Sequence, residues 1–226
     1  MNREEVLKRI EEIGIVAAIR VDSSEDAVFA AEAVYRGGIP IIEIPMTLDK
    51  APEVISQLLH RNPELIVGAG GVSDARTART CVDSGARFLT SDGLHLARVE
   101  LGARMGVVVF PGALTPTEVI TAWEAGCDFV KVVPCAQIGG EAYIRSVHAM
   151  YPYIPLIAAG GVNQQTASKY IFAGAVALGI GREIIPADAL RRRQEQRIHE
   201  LARRFVGSVK SAREGKPPAR EGPFIG

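Results

Sequence analysis

The stretch TPTEVITAWEAGCDFVKVVPC, Thr115 to Cys135, holds a whole helix-to-strand unit. Thr115 is a helix cap. Pro116 stands at the first helical position, where its missing N–H costs nothing, and Glu118, three residues after the cap, completes a capping box. Gly126 falls where a left-handed residue ends a helix. A strand, FVKVVP, begins almost at once.

Other parts of the chain follow the same plan. Short β-branched runs start at residues 15 (IVAAI), 39 (IPIIEI), 65 (LIVGAG), 87 (RFLTS), 107 (VVVFPG), 129, 155 (PLIAAGG) and 175 (AVALGIG). Segments of helical period lie between them. Four helices stop in one way, at RGGI, DSGA, EAGC and FAGA, with a glycine just before the next strand. Ser23 caps the second helix, with Asp26 answering it, and Asn163 is placed to cap the helix after AAGGV. Near-continuous apolar strands alternating with helices imply a parallel sheet covered by helices. Eight β-α units in some 200 residues fit a compact α/β fold, a single-domain (β/α)8 barrel of the TIM type. An open doubly wound sheet is the rival, but no strand-to-helix turn carries a full G-x-G-x-x-G fingerprint. A helix over residues 2–13 precedes the first strand. The expected boundaries are a barrel over 1–213, closing in a basic helical segment from about Pro186 to Arg213, and a flexible tail over 214–226.

Composition narrows the function classes. The 226 residues are 47% apolar and 23% charged, and 26 Lys and Arg balance 26 Asp and Glu. A net charge of zero gives no sign of nucleic acid or an anionic membrane as partner. The start, MNREEVLKRIEEIG, reads as a charged amphipathic helix and not a signal peptide. Three scattered cysteines, Cys81, Cys127 and Cys135, show neither a disulfide framework nor metal-ligand spacing, which places the chain in a reducing cytoplasm.

Two charges stand out because they sit inside apolar strands. Lys131 lies between Val130 and Val132, and Glu43 between Ile42 and Ile44. A buried Lys131–Glu43 ion pair would satisfy both groups, but such pairs rarely stabilise more than apolar residues do. A catalytic pair is the sharper reading, since barrel enzymes place their chemistry at the C-terminal ends of strands. An amine in an apolar site gives up its proton more readily, and a neutral amine attacks a carbonyl to form a Schiff base. A nearby carboxylate then moves the protons. Glycines after strands 7 and 8, Gly160 and Gly161, then Gly179 and Gly181 with Arg182, occupy the loops where barrels bind phosphate. GAGG, Gly68 to Gly71, lies on the same face. His60, His148 and His199 read as solvated helix residues, His95 has no triad or metal set beside it, and Cys135 reads as a packing residue.

These residues resemble the class I aldolases of the KDPG/KHG family, which act on 2-keto-3-deoxy-6-phosphogluconate and 4-hydroxy-2-oxoglutarate. The resemblance runs from about residue 5 to 210. It is carried by IIEI with Glu43, VGAG at 67–70, PGALTPTEV at 111–119, VKVVPC with Lys131, GGV at 160–162 and PADAL at 186–190. It implies a homotrimeric (β/α)8 lyase without metal or other cofactor, taking a small 2-oxo acid and releasing pyruvate and an aldehyde. By position, Lys131 would form the Schiff base and Glu43 would act as acid and base. Thr47, Gly70 and Gly71 would bind substrate, Gly71 at the place of the pyruvyl carboxylate, and Gly160, Gly161, Gly181 and Arg182 would border the distal phosphate. The chain departs from the family pattern at several points. Thr47 stands where many members have arginine, Gly71 where threonine is usual and Asp92 where proline is usual. Ala159 replaces a threonine, Arg182 a serine and Val133 an aromatic residue. Arg182 is expected to hold the anionic end of the substrate, the alternative being an ion pair with Glu183 or Asp188.

The leading expectation is therefore aldol cleavage of a 2-keto-3-deoxy sugar acid, 6-phosphorylated, or of 4-hydroxy-2-oxoglutarate. The phosphogalactonate epimer and an unphosphorylated 2-oxo acid are the alternatives within enzymes. A catalytically weakened barrel, kept as a sugar-phosphate-binding or structural oligomer, is the alternative outside them. A metal-free sugar-phosphate isomerase would share the barrel and have no use for Lys131.

Overall fold

Each of the eight apolar runs forms a strand in the computed structural model, which describes residues 1–72 and 74–215. The strands are β1 (Ile15–Ala18), β2 (Ile41–Pro45), β3 (Ile66–Gly70), β4 (Phe88–Thr90), β5 (Val108–Phe110), β6 (Gly112–Ala113), β7 (Val130–Val132), β8 (Leu156–Ala159) and β9 (Ala175–Ile180). They pair in parallel in the order β5-β4-β3-β2-β1-β9-β8-β7-β6. The sequence suggests eight strands and the structure has nine segments, because Pro111 interrupts the run VVVFPGA. A proline has no N–H for the ladder, so the run becomes β5 and β6 with a bend between them. β5 pairs with β4 and β6 with β7. The two ends of the sheet order are therefore pieces of one bent strand, and the barrel closes there. Pro111 still accepts from the Lys131 N–H at 2.9 Å, and Val109 from the Asp128 N–H at 2.9 Å.

The helices on the outside are α1 (Arg3–Ile13), α2 (Ser24–Arg36), α3 (Ala51–Arg61), α4 (Ala75–Asp83), α5 (Leu96–Arg104), α6 (Pro116–Glu124), α7 (Gly140–Met150), α8 (Ala167–Phe172), α9 (Ala187–Arg191) and α10 (Glu195–Arg213). The capping box of α6 forms as its residues suggest, with Thr115 and Glu118 each accepting from the other's backbone. A second box starts α1, with Asn2 as its cap. The Ser23 hydroxyl caps α2 by accepting from the Asp26 N–H. Asn163 acts one turn earlier than expected: its side chain accepts from the Gln165 and Thr166 N–H groups and closes the turn ahead of α8. The glycines Gly38, Gly85, Gly126 and Gly174 after the helices all have positive φ, between 87° and 107°. The basic C-terminal segment is two helices, not one, and they meet at Arg193, whose φ is 49°. Ile198, Ala202, Phe205 and Val209 are buried along one face of α10, which packs on α2 and α8. His148 is half-buried, not solvated, and its Nδ1 has no partner among the described residues. The expected flexible tail, apart from Glu214 and Gly215, lies outside the described residues.

Inside the barrel, Val16, Ile41, Phe88, Phe110, Phe129 and Ile157 are all buried. Phe88 stacks on Phe110 at 5.0 Å, and Phe129 meets Phe110 edge-on at 6.2 Å. Gly68 on β3 makes room for this, since a Cβ there would overlap the Phe88 ring. α1 closes the bottom by placing Val6 and Ile10 in the same cluster. Each such full burial contributes about 1.5–3 kcal/mol, so the lower half of the barrel is a solid core, and any site has to lie above it.

Candidate active site

Strand side chains repeat every second residue on one face. Stepping two residues up from the interior cluster gives the next inward layer. Above Val16 is Ala18, above Ile41 is Glu43, above Ile66 is Gly68, above Phe88 is Thr90, above Phe110 is Gly112, above Phe129 is Lys131, above Ile157 is Ala159 and above Ala177 is Gly179. Five of these are Ala or Gly. The small residues open a cleft of about 540 Å3, lined by Ala18, Glu43, Lys131, Ala159 and Gly179 from this layer and by loop residues above it. The two charged members of the layer, Glu43 and Lys131, are 6% and 4% exposed.

Lys131 does not pair with Glu43, as a self-satisfied ion pair would require. Its Nζ donates to Asp92 Oδ1 at 2.7 Å. Asp92 Oδ2 in turn lies 3.6 Å from Arg20 Nη2. Burial raises the Asp92 carboxyl, but the Lys131 ammonium and the Arg20 guanidinium outweigh it and hold the carboxyl below the usual carboxylate range. Glu43 forms no hydrogen bond or ion pair through its side chain among the described residues. Its carboxyl lies over Gly70, where a Cβ would come within 2.8 Å of Glu43 Cδ. Glycine at 70 is thus a requirement of the carboxylate above it.

The glycine loops border the same cleft. Gly160 and Gly161 have φ of 80° and 90°. A Cβ at Gly160 would lie 2.8 Å from Pro134 Cα, and one at Gly161 would strike Ala136. Their conformation and their neighbours both demand glycine. The N–H groups of Gly161 and Val162 donate to nothing among the described residues and are open to a ligand. Gly181, Arg182 and Glu183 complete the rim. Arg182 is exposed and pairs with neither Glu183 nor Asp188, and Asp188 is bound instead by Arg197 at 2.5 Å.

The structure therefore brings Glu43, Lys131, Gly160, Gly161, Gly181 and Arg182 to one cleft, with Gly70 directly beneath Glu43. Gly71, φ 71°, stands exposed at the end of β3, and Thr47 is exposed in the turn after β2; neither lines the cleft. Cys135 is buried, its thiol pushed up by burial, and packs on the Gly160 carbonyl, as a packing residue should. Arg20 and the pairing role of Asp92 were not apparent from the residues. Arg20 had one signal, its place two residues beyond the end of β1.

Comparison with known proteins gives the family and agrees with the fold. The family model for KDPG and KHG aldolase matches residues 6–201. The KHG/KDPG aldolase of Escherichia coli K12 is 27% identical over 196 residues, which cover 87% of this chain and 92% of that one. The 2-dehydro-3-deoxy-6-phosphogalactonate aldolase of the same organism is 26% identical, covering 88% and 95%. A solved native KDPGal structure superposes with a TM-score of 0.81 at 25% identity, covering 88% of this chain and 96% of the other. The chain belongs to the KDPG and KHG aldolase family.

Proposed function

We propose that the protein is a Schiff-base aldolase that cleaves a 6-phosphorylated 2-keto-3-deoxy sugar acid to pyruvate and an aldehyde. One observation carries the reading: among the described residues a single buried amine, Lys131, stands in an inward layer otherwise built of small residues and one carboxylate without a partner. Lys131 attacks the C2 carbonyl. The iminium that forms draws electrons from C3, which lets the C3–C4 bond break once a base removes the C4 hydroxyl proton. Glu43 is that base, and the proton it gains returns to C3 of the pyruvyl enamine. An unpartnered carboxylate is free for both transfers.

The distal anion belongs at the rim. Lys131 is in register with Ile157, three residues before Gly160 on the same strand path. The glycine loop thus stands ~10 Å further along the barrel axis than the lysine backbone. The lysine side chain and a six-carbon substrate span that distance together. The open N–H groups of Gly161 and Val162 and the Arg182 guanidinium suit a phosphate there. The homotrimer of the family resemblance is the proposed assembly, and light scattering reads it directly.

The test is mass spectrometry after adding pyruvate and borohydride. One adduct per chain at Lys131 is expected, and none in Lys131→Met, which fills similar volume without the charge. An adduct at another lysine would refute the mechanism. Cleavage assays with the gluconate and galactonate epimers side by side then assign the C4 configuration.

A further inference from the structure

We infer that Asp92 is a second catalytic carboxylate, dedicated to the amine of Lys131, so that Glu43 is left to serve the substrate carbons. The inference rests on the Schiff-base reading above.

The geometry assigns the two carboxylates to different atoms. Asp92 Oδ1 is the acceptor of the Lys131 Nζ proton, at 2.7 Å. Glu43 has no such contact. Asp92 is also held in place. Its carbonyl and the following N–H pass so close over Gly112 that a Cβ there would lie 2.5 Å from Asp92 O and 2.7 Å from Gly93 N. Gly112 is the residue in register with Lys131. The Ser91 hydroxyl, donating to the Gly93 carbonyl at 2.7 Å, ties the same turn from the other side. Carboxylate and amine are thus braced on one support. Arg20 faces the other oxygen of Asp92 at 3.6 Å. The Asp92 side chain is 59% exposed, against 5% for that of Lys131. It reaches the amine from the open side of the cleft, where a substrate carbonyl must arrive.

The ion pair leaves Lys131 with one proton too many to attack. In the first step that proton moves from Nζ to Asp92 Oδ1, giving a neutral amine and a carboxylic acid. Nζ then adds to the ketone carbon. The carbonyl π pair moves to oxygen, which takes a proton from the new ammonium, and a neutral carbinolamine results. Asp92 next gives its proton to the carbinolamine hydroxyl as the C–O bond breaks. Water leaves, the iminium forms, and Asp92 is again a carboxylate, now paired with the iminium. Charge is zero over the pair before and after, and no further reactant is needed. Arg20 favours the ionised form to which Asp92 returns.

The test separates the two carboxylates by the atoms they serve. Pyruvate with an isotopically labelled carbonyl oxygen reports carbinolamine and iminium formation through loss of label, after subtraction of uncatalysed hydration. Deuterium uptake into the pyruvate methyl reports proton transfer at carbon. Asp92→Asn keeps shape and an acceptor but cannot carry a proton. Label loss is expected to fall about 10²-fold, the usual share of one general acid–base group, while deuterium uptake per trapped adduct stays at the parental value. Asp92→Glu is expected to recover part of the label loss. Glu43→Gln is expected to do the reverse of Asp92→Asn, sparing label loss and stopping deuterium uptake. Label loss that is unchanged or faster in Asp92→Asn would overturn the inference, since the aspartate would then be a passive or restraining counter-ion. So would a fall in deuterium uptake per adduct equal to that of Glu43→Gln. If the parent protein forms no adduct with pyruvate, the Schiff-base reading itself has failed.

Discussion

Gly70→Ala is the sharpest probe of Glu43, because it moves the carboxylate without changing its chemistry. Gly70 has no positive φ, so alanine fits its backbone. The obstacle is contact: a Cβ at 70 would lie 2.8 Å from Glu43 Cδ and 2.9 Å from Cγ. Carbon atoms in a folded interior rest about 3.5–4.0 Å apart, so Glu43 must give way by roughly 0.7 Å or more. The cleft offers room for that, and the overpacking cost should stay near the low end of about 1–3 kcal/mol. It is partly offset by about 0.4–1 kcal/mol from the reduced freedom of the unfolded chain. A net loss of about 0.5 kcal/mol lowers Tm by about 1–2 °C in a chain of this size. Catalysis is far less tolerant, since a displacement near 1 Å costs on the order of 10²-fold. The expected outcome is a cleavage kcat down about 10²-fold, pyruvate trapping at Lys131 unchanged and Tm almost kept. Cleavage at the parental rate would refute the assignment of proton transfer to Glu43 in this position.

Arg182→Ser should raise KM for a phosphorylated 2-keto-3-deoxy acid and leave the unphosphorylated analogue unaffected, because the lost contact is made equally in ground and transition state; equal effects on both would put Arg182 outside the site. Thr90→Val removes a buried hydroxyl that has no partner among the described residues; it should stabilise by about 1 kcal/mol, a rise in Tm of about 2–4 °C by calorimetry. Glu118 is held below its usual carboxylate value by hydrogen bonds from the Leu114 and then the Thr115 N–H. Its folded value is depressed, so its contribution is present at neutral pH and is lost as pH falls through that value. Glu118→Ala should cost about 0.5 kcal/mol at pH 7, solvent screening keeping the effect small, and urea titrations should show the gap to the parent closing below about pH 4.

The barrel was legible because its signals are local. A capping box, a glycine after a helix and an apolar run each need only a few neighbouring residues, and Thr115, Gly126 and Val130 supply all three in sixteen positions. The bend at Pro111 was visible as a proline, but its effect depends on which strands flank it. Lys131 and Glu43 were conspicuous because a charge in a β-branched run is costly and needs a reason. Asp92 was not conspicuous as their companion. In a polar turn an aspartate costs nothing, and its meaning comes from a pairing that spans 39 residues of sequence. Arg20 was hidden for the same reason. Anomaly marks a buried group, whereas an ordinary residue at the mouth of a site acquires its role only when distant strands are brought side by side.

Val6 and Ile10 of α1 plug the barrel from below, and the buried Lys131 lines the cleft above that floor. In the proposed cleavage, the fragment bonded to Lys131 would leave last and the aldehyde first. In synthesis, pyruvate must be seated before the aldehyde arrives, and an aldehyde that enters early obstructs the pyruvate behind it. The sealed floor thereby fixes a sequence of events: initial rates should follow an ordered scheme, with excess aldehyde inhibiting competitively against pyruvate.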